Sequence, residues 1–180
     1  MNKLLLILLI LTFTCCLSAS TIYKLRLFSS GCLNGYVSNY SIEGDVSADF
    51  PFAVAVGLEH ETIKPDKSPK GWGMRMVVPP KVENVEATYE DSKENFGMLF
   101  NFSLYKFYKG MIPITKQSAV YLKFKFGTGL SYIAHLGIGG GFEIYDRFTL
   151  EAEYNYHLTT IFIAGLYTEY LCLNLGYSFQ

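Results

Sequence analysis

The sequence predicts an all-β fold in which eight antiparallel strands close into a barrel. Three observations predict this fold. Half of the residues are hydrophobic and 16% are aromatic, yet after residue 20 no apolar run reaches the roughly 20 residues that a transmembrane helix needs. The hydrophobic residues instead alternate with polar residues, which is the periodicity of a β-strand. The alternating segments number eight, an even count, as a closed antiparallel barrel requires.

The first 20 residues have the pattern of a secretory signal peptide. A lysine precedes the apolar run Leu4–Leu11, and small residues suitable for cleavage follow in LSAS. We expect cleavage near Ser20, which leaves a barrel domain over residues 21–180. Acylation at Cys15 or Cys16 is the alternative, although the residues before them fit poorly the Leu-small-small pattern of bacterial lipoproteins.

The charge and the cysteine count exclude several classes of protein. A formal net charge of −1 gives no reason to expect a nucleic acid as partner. Beyond the signal peptide only Cys32 and Cys172 remain, and two cysteines form neither a disulfide framework nor a metal-site spacing. We expect both to act as small strand residues, and the sequence leaves open whether they pair. The three histidines also lack metal-ligand spacing, so no metal or cofactor is implied.

The strands of the C-terminal half alternate most regularly and are predicted to form two hairpins. In RFTLEAEYNYHL, for example, Leu150, Ala152 and Tyr154 share one face, whereas Glu151 and Glu153 share the other. The predicted strands of this half are Ser118–Leu130, Ala134–Tyr145, Arg147–Leu158 and Glu169–Phe179.

The N-terminal half supplies four further strands, of which the first two are the weakest. They are Thr21–Phe28, Gly35–Glu43, Phe50–Thr62 and Asn95–Phe107. The connections predicted at one end of the barrel are the turns Gly44–Asp49, Lys109–Lys116 and Tyr145–Phe148. Those predicted at the other end are Ser29–Leu33, Ile63–Glu94, Gly129–Ile133 and Thr159–Leu166. Because Val82–Glu90 alternates too, ten strands are the alternative to eight.

The polar face of the strands is expected to point inward, which makes the barrel a transmembrane one. Glycines such as Gly137, Gly139 and Gly141 suit the narrow interior of an eight-stranded barrel. Charged residues of both signs lie among them, and a buried charge without a partner costs several kcal/mol. They are expected to form an interior ion-pair network of Lys24, Arg26, Glu59, Glu61, Lys123, Lys125, Glu143, Glu151 and Glu153.

The opposite face is then expected to contact lipid. A lysine or arginine at mid-bilayer costs about 2–4 kcal/mol, and the outer face of the C-terminal strands is uncharged. The residues predicted to face lipid include Leu122, Phe124, Leu136, Ile138, Leu150, Leu173 and Leu175. A soluble, lipocalin-like barrel that encloses a lipid with its apolar face is the alternative.

The chain resembles a known family in its signal peptide, the hairpin GIGGGFEIYDRFTLEAEYNY and the ending LNLGYSF. These features are similar to the OmpA/OmpX-type small bacterial outer-membrane β-barrels. The resemblance implies an integral, porin-like barrel in the outer membrane of a diderm, Gram-negative bacterium, inserted by the barrel-assembly machinery and surrounded by outer-membrane lipid. Gln180 after Phe179 departs from the family's terminal aromatic residue.

That family does not imply one activity, because its members serve as anchors, adhesins or resistance factors. We therefore expect a non-enzymatic, monomeric cell-surface protein with a structural or surface-interaction role. The alternative is a lipid A-modifying hydrolase, since His157 and Thr159 imitate the His-x-Ser pair of outer-membrane deacylases. A threonine stands at the nucleophile, and by parity His157 points away from lipid.

The longest predicted connection, Ile63–Glu94, is the candidate surface-binding loop. Its first half is basic and its second half is acidic. The basic half is suited to bind phosphates of lipopolysaccharide, with Trp72 and Met74 as an apolar anchor. The alternative is a solvated loop whose basic and acidic halves pair with each other. The candidate binding residues are Lys64, Lys67, Lys70, Trp72, Met74 and Arg75.

Overall fold

The computed structural model describes residues 21–41, 44–65, 67–78, 83–87, 101–129, 133–161 and 164–179. The predicted signal peptide with Cys15 and Cys16, the first residues of the predicted strand Asn95–Phe107, and Gln180 lie outside this description. The described strands are β1 (Ile22–Ser41), β2 (Gly44–Ile63), β3 (Lys70–Val78), β4 (Glu83–Ala87), β5 (Asn101–Thr115), β6 (Ser118–Gly129), β7 (Ala134–Ile144), β8 (Phe148–Ile161) and β9 (Ala164–Phe179). Across these ranges no α-helix is long and apolar enough to cross a membrane.

The strands form one antiparallel sheet that closes on itself. Each strand from β5 to β8 pairs with the next strand along the chain, and β1 pairs with both β9 and β2. On its other side β2 pairs with β3, which in turn pairs with β5. The prediction of an all-β, closed antiparallel barrel is therefore confirmed.

Two of the nine strands share one position in the barrel wall, so the wall is eight strands around. β3 pairs with the stretch Val54–Thr62 of β2, and β4 pairs with the same strand nearer its start, at Val46–Asp49. Both run antiparallel to β2 along the same edge, so β4 continues the line of β3. The count of eight strands is thus confirmed, and the alternative of ten is wrong.

The partition of the N-terminal half differs from the prediction in two places. The predicted strands Thr21–Phe28 and Gly35–Glu43 fall, from Ile22 to Ser41, in the single strand β1, and the predicted connection Ser29–Leu33 lies within it. The predicted loop Ile63–Glu94 contains β3 and β4 instead of forming one long connection. The prediction divides one strand into two and omits another, so the predicted number of strands is still eight.

These corrections reassign the ends of the barrel. The connections at residues 64–69, 116–117 and 145–147 lie at the end where β1 begins and β9 finishes, which we call the turn end. Strands β1, β4, β6 and β8 finish at the opposite end, which we call the far end. The predicted turn Gly44–Asp49 is part of β2, and most of the predicted turn Lys109–Lys116 is part of β5.

The predicted turn between β7 and β8 is present. Tyr145 and Asp146 both adopt positive φ, 54° and 56°, and the N–H of Arg147 donates to the carbonyl of Ile144 at 3.1 Å. Two consecutive positive φ values give the turn the twist that joins adjacent antiparallel strands.

Candidate functional site: the barrel interior

Large side chains and glycines alternate around the interior wall, so that the large ones fill the space the glycines leave. A Cβ atom built on Gly57 would lie 2.2 Å from the ring of Phe28, and one on Gly73 would lie 2.7 Å from the ring of Tyr105. Both positions must therefore remain glycine for these rings to lie inside. An eight-stranded barrel has an interior just wide enough for side chains, and this one is filled in that manner.

The structure brings all nine residues of the predicted ion-pair network into the interior. Each of them is buried, with at most 4% of its surface exposed. They take part in ion pairs with one another, with two further cations, or with both. They are Lys24, Arg26, Glu59, Glu61, Lys123, Lys125, Glu143, Glu151 and Glu153.

Glu59 lies at the centre of these contacts. Its carboxylate is 2.5 Å from Nη2 of Arg26 and 3.2 Å from the ammonium groups of both Lys123 and Lys125. The hydroxyl of Tyr105 donates to the same carboxylate at 2.9 Å. Cations from β1 and β6 thus contact one carboxylate of β2. Because β6 is not adjacent to β1 or β2 in the sheet, these contacts link distant parts of the barrel wall.

Glu151 and Glu153 of β8 provide the second group of carboxylates. Glu151 pairs with Lys123, and Glu153 pairs with Lys125. The side-chain amide of Asn174 donates to Glu151 at 2.8 Å and to Glu153 at 3.3 Å. Each carboxylate therefore has both a cation and a neutral donor, as buried charges need.

Arg75 lies in the interior, so its predicted place in the surface-binding loop is wrong. It is 0% exposed, and its Nη1 is 2.8 Å from the carboxylate of Glu153. Its guanidinium also lies 5.2 Å from the centre of the Phe28 ring, within the range of a cation–π contact. The inward position of Arg75 could have been predicted, because Arg75 alternates with the outward residues Met74 and Met76. It was not predicted, because this segment was expected to be a loop.

A second set of ion pairs lies near the turn end. Lys24 and Lys109 both contact Glu143, at 2.7 and 2.6 Å, and Lys109 also lies 3.4 Å from Glu61. Lys109 is absent from the predicted network because the strand predicted from the sequence ends at Phe107, whereas β5 continues to Thr115. Its inward position follows once the alternation of Tyr105 and Phe107 is continued by one step.

The interior changes character toward the far end. Six buried residues form an apolar cluster there, and Cys32 of β1 and Cys172 of β9 within it are joined by a disulfide bond. The expectation that both cysteines are only small strand residues is therefore wrong. The strand register explains the pairing, because Cys32 lies directly opposite Cys172. The cluster consists of Cys32, Ala53, Ala55, Val77, Tyr170 and Cys172.

The histidine of the predicted hydrolase alternative lies inside the wall. His157 is buried, with its ring 4.4 Å from that of His135 and 5.3 Å from that of Tyr170. It is therefore not presented to the outer face, from which a lipid substrate would come. The side chain of Thr159 lies outside the description. Within the described ranges, no cluster of three or more His, Cys, Asp or Glu side chains could hold a metal ion.

The outer surface is apolar over most of its height. The seven residues predicted to face lipid all point outward, with between 48% and 63% of their surface exposed. Aromatic residues lie on the same surface near both ends. Tyr177 and Phe179 lie near the turn end, and Tyr36 and Tyr167 pack together near the far end.

The six residues of the candidate surface-binding loop are separated by the fold. Lys64 and Lys67 lie in the exposed connection at the turn end, and Lys70 begins β3. Trp72 and Met74 point outward from β3, whereas Arg75 points inward. These residues do not form one surface, so the prediction of a single binding loop is wrong.

Comparison with known proteins yields a likeness in structure but none in sequence. No protein-family model matches the chain, and no curated protein is similar to it in sequence. Among solved structures, the crystal structure of Neisserial surface protein A (NspA) is 8% identical to this chain, with a TM-score of 0.44. The alignment covers 88% of this chain and 99% of that one. The fold assigned to this chain rests on its own strand pairing.

Proposed function

We propose that this chain is an integral outer-membrane β-barrel protein of a diderm bacterium, with a structural or surface-interaction role and no enzymatic activity. The observation that carries the proposal is the division between the two faces of the wall. The outer face exposes large apolar side chains such as Leu122 and Leu175, while eleven charged side chains, among them Lys123 and Glu151, are enclosed and paired in the interior. A transmembrane barrel needs this arrangement, whereas a soluble lipid-binding barrel needs the reverse.

The chain's only tryptophan provides a direct test of membrane insertion. Trp72 points outward from β3 with 47% of its surface exposed. In a membrane-embedded barrel its side chain lies against acyl chains, so brominated phospholipid should quench its fluorescence strongly. The folded protein should also need detergent for extraction and should change its gel mobility on heating. Extraction in aqueous buffer without quenching would refute the proposal.

Arginine substitutions at adjacent residues test the orientation of the wall. Leu173 points outward, and Asn174 points inward toward Glu151 and Glu153. An arginine on the lipid face near mid-bilayer costs about 2–4 kcal/mol, so Leu173→Arg should reduce the yield of folded barrel strongly. Asn174→Arg, which places a cation beside two carboxylates, should reduce it less. Equal losses for both variants would contradict the assignment of faces.

A packed interior is the second part of the proposal. Arg26, Lys123 and Glu59 meet near the barrel axis, where an open channel would have to pass. We therefore expect planar-bilayer recordings of the purified protein to show no stable, large conductance. A steady conductance on the nanosiemens scale would contradict this expectation.

The orientation in the membrane follows from the lengths of the connections. Short turns lie on the periplasmic side of small outer-membrane barrels, so we propose that the turn end faces the periplasm. The exposed Lys67 would then be periplasmic, and the exposed acidic residues Asp49, Glu83 and Glu86 of the far end would be external. Surface interactions would accordingly use an acidic end of the barrel, not the basic half of the predicted loop.

Two single-cysteine labels test this orientation. A membrane-impermeant maleimide added to intact cells should label Glu83→Cys and leave Lys67→Cys unlabelled. Cys32 and Cys172 do not interfere, because they are buried and bonded to each other. Labelling of Lys67→Cys alone would reverse the orientation. We retain insertion by the barrel-assembly machinery and a monomeric barrel as parts of the same proposal.

A further inference from the structure

An outward carboxylate of β9 is bordered by tyrosines of the neighbouring strands. Glu169 points outward, because the next residue, Tyr170, is buried in the interior and Leu171 is exposed again. In the register Glu169 lies directly opposite Tyr36 of β1 and Tyr156 of β8. Side chains opposite each other on one face of a sheet are about 5 Å apart at their Cβ atoms. A tyrosine therefore borders the carboxylate on each side.

Two more tyrosines complete this border. The hydroxyl of Tyr154 donates to the carboxylate of Glu169 at 2.5 Å. Tyr167 is the next outward residue of β9 toward the far end, and its ring centre lies 5.5 Å from that of Tyr36 and 6.1 Å from that of Tyr156. Three rings thus form a continuous arc around the carboxylate on the side of the far end, and the hydroxyl of the fourth tyrosine holds the carboxylate in place.

Glu169 lies at the edge of the apolar outer surface. From Phe179 to Glu169 the strand β9 advances about ten residues. At about 3.3 Å per residue and a tilt of about 40°, this is roughly 25 Å along the barrel axis, which is the height of the apolar band of outer-membrane barrels. Beyond Tyr36 and Tyr167, the next outward positions toward the far end are Ser38 and Gly165. In a membrane the carboxylate would accordingly lie at the level of the lipid headgroups.

The surroundings of this carboxylate favour a cation. The faces of aromatic rings carry partial negative charge and attract ammonium groups. A second exposed carboxylate, that of Asp49 on β2, lies opposite Tyr36 on the other side of β1. Among the residues that the structure describes, no cationic side chain pairs with Glu169. Negative charge is therefore concentrated here without a cation of the described chain to balance it.

We propose that Glu169 and the four tyrosines around it bind the primary ammonium group of a lipid with an ethanolamine headgroup. The ring faces attract the ammonium ion, and the carboxylate supplies the opposite charge and accepts a charge-assisted hydrogen bond. A primary ammonium group carries three donors for such bonds, whereas a trimethylammonium group carries none. The inference rests on the proposed function, because a lipid reaches this site from a bilayer. It specifies which lipid the far end of the barrel selects.

The surface next to the site suits a lipid better than a water-soluble amine. Toward the turn end, Glu169 is followed on the outer face of β9 by Leu171, Leu173 and Leu175, which are all exposed. A headgroup at Glu169 can therefore lay its acyl chains along this apolar surface. An amine without acyl chains makes only the headgroup contacts and should bind more weakly.

The experiment measures lipid binding to the folded protein in detergent micelles by native mass spectrometry. Dihexanoyl phosphatidylethanolamine, phosphatidylcholine and phosphatidylglycerol are titrated separately, each in the presence of a chelator of divalent cations. We expect the ethanolamine lipid to bind at least tenfold more tightly than the other two lipids. Glycerophosphoethanolamine, which has the same headgroup but no acyl chains, should bind at least tenfold more weakly than the ethanolamine lipid.

Variants with matched controls locate the site. Glu169→Gln removes the charge but keeps an acceptor for Tyr154, so the barrel should fold while the affinity for the ethanolamine lipid falls about tenfold or more. Tyr156→Leu removes one ring face and should lower the affinity about two- to fivefold. As controls, Glu86→Gln removes a charge from the same end, and Tyr177→Leu removes an outward ring near the turn end. Both controls should leave the affinity unchanged, and heat-modifiable gel mobility shows that each variant is folded.

Four results would overturn the proposal. They are equal affinities for the ethanolamine and choline lipids, an affinity that Glu169→Gln does not change, equal binding of glycerophosphoethanolamine, and binding that needs magnesium in place of the chelator. The last result would assign the carboxylate to a divalent cation that bridges it to a phosphate. A failure of the proposed function is distinguishable, because the folded protein would then remain in solution without detergent.

Discussion

The barrel interior is filled in two different ways along its axis. In the charged layer, defined by Arg26, Glu59, Arg75, Lys123, Lys125, Glu151 and Glu153, long side chains cross the interior and meet partners from distant strands. In the apolar layer, defined by Cys32, Ala53, Ala55, Val77, Tyr170 and Cys172, the residues come from β1, β2, β3 and β9. The charged layer therefore connects opposite walls, whereas the apolar layer holds the region where the first and last strands meet.

The two layers also differ in what their loss should cost. Removing one member of a buried ion pair leaves its partner charged and unpaired in the interior. This change lowers the free energy of unfolding by more than the intact pair contributed to it. Removing an apolar contact costs only the contact and the cavity it leaves. The disulfide is the exception in the apolar layer, because it acts mainly on the unfolded chain. Variants in the two layers should therefore give different losses of stability.

The largest effect is expected for Glu153→Leu in the charged layer. This change leaves the fully buried Arg75, whose Nη1 is 2.8 Å from Glu153, without its carboxylate. We expect the free energy of unfolding to fall by about 3–5 kcal/mol. Equilibrium unfolding by urea in phospholipid vesicles, followed by the fluorescence of Trp72, measures the change.

A double variant provides the control for this prediction. Arg75→Met together with Glu153→Leu removes both charges and keeps most of the side-chain volume. Replacement of a whole buried pair by apolar residues is often close to neutral, so the double variant should recover most of the loss. If Glu153→Leu alone is as stable as the parent protein, the charged layer does not support the barrel as described.

The next effect is expected in the apolar layer, where Cys32→Ala with Cys172→Ala removes the disulfide between β1 and β9. The bond joins residues 140 positions apart, and a crosslink over a loop of this length stabilises the folded state typically by about 2–4 kcal/mol. We expect a loss in this range in the same urea experiment.

Reductant gives the matched test for the same bond. Both cysteines are fully buried, so a thiol reductant added to the folded barrel should leave the disulfide bond intact. The same reductant present during unfolding and refolding should reproduce the loss of the double variant. Immediate destabilisation of the folded barrel by reductant would contradict the burial of the bond.

The same two layers differ in how far the sequence could predict them. The charges on one strand face had to be enclosed once the apolar face was assigned to lipid, so alternation alone identified Glu151, Glu153, Lys123 and Lys125. The pairing of Cys32 with Cys172 depends on the register between the first and last strands, which is set only when the barrel closes. No local pattern carries that register, because the two residues are far apart in the chain.

The missed strand has a local physical reason. In β3, outward Trp72, Met74 and Met76 alternate with inward Gly73 and Arg75, as in any other strand of the wall. Pro and Lys residues flank this short stretch on both sides in the sequence, and such residues usually mark a connection. In β1 the opposite error arose, because a run of Ser, Gly and Asn residues suggested a turn inside a continuous strand.

The smallest effects are expected when the same substitution, Tyr to Phe, is made in each layer. This substitution removes only a hydroxyl group. In the charged layer the Tyr121 hydroxyl donates to Glu151 at 2.7 Å, and in the apolar layer the Tyr170 hydroxyl lies 3.4 Å from Nε2 of His157. A hydrogen bond to a charged group contributes about 1.5–3 kcal/mol, and one between neutral groups about 0.5–1.5 kcal/mol. Tyr121→Phe should therefore lower the free energy of unfolding by more than Tyr170→Phe does. Equal losses, or a larger loss at Tyr170, would mean that the charged layer contributes no additional electrostatic stabilisation at this position.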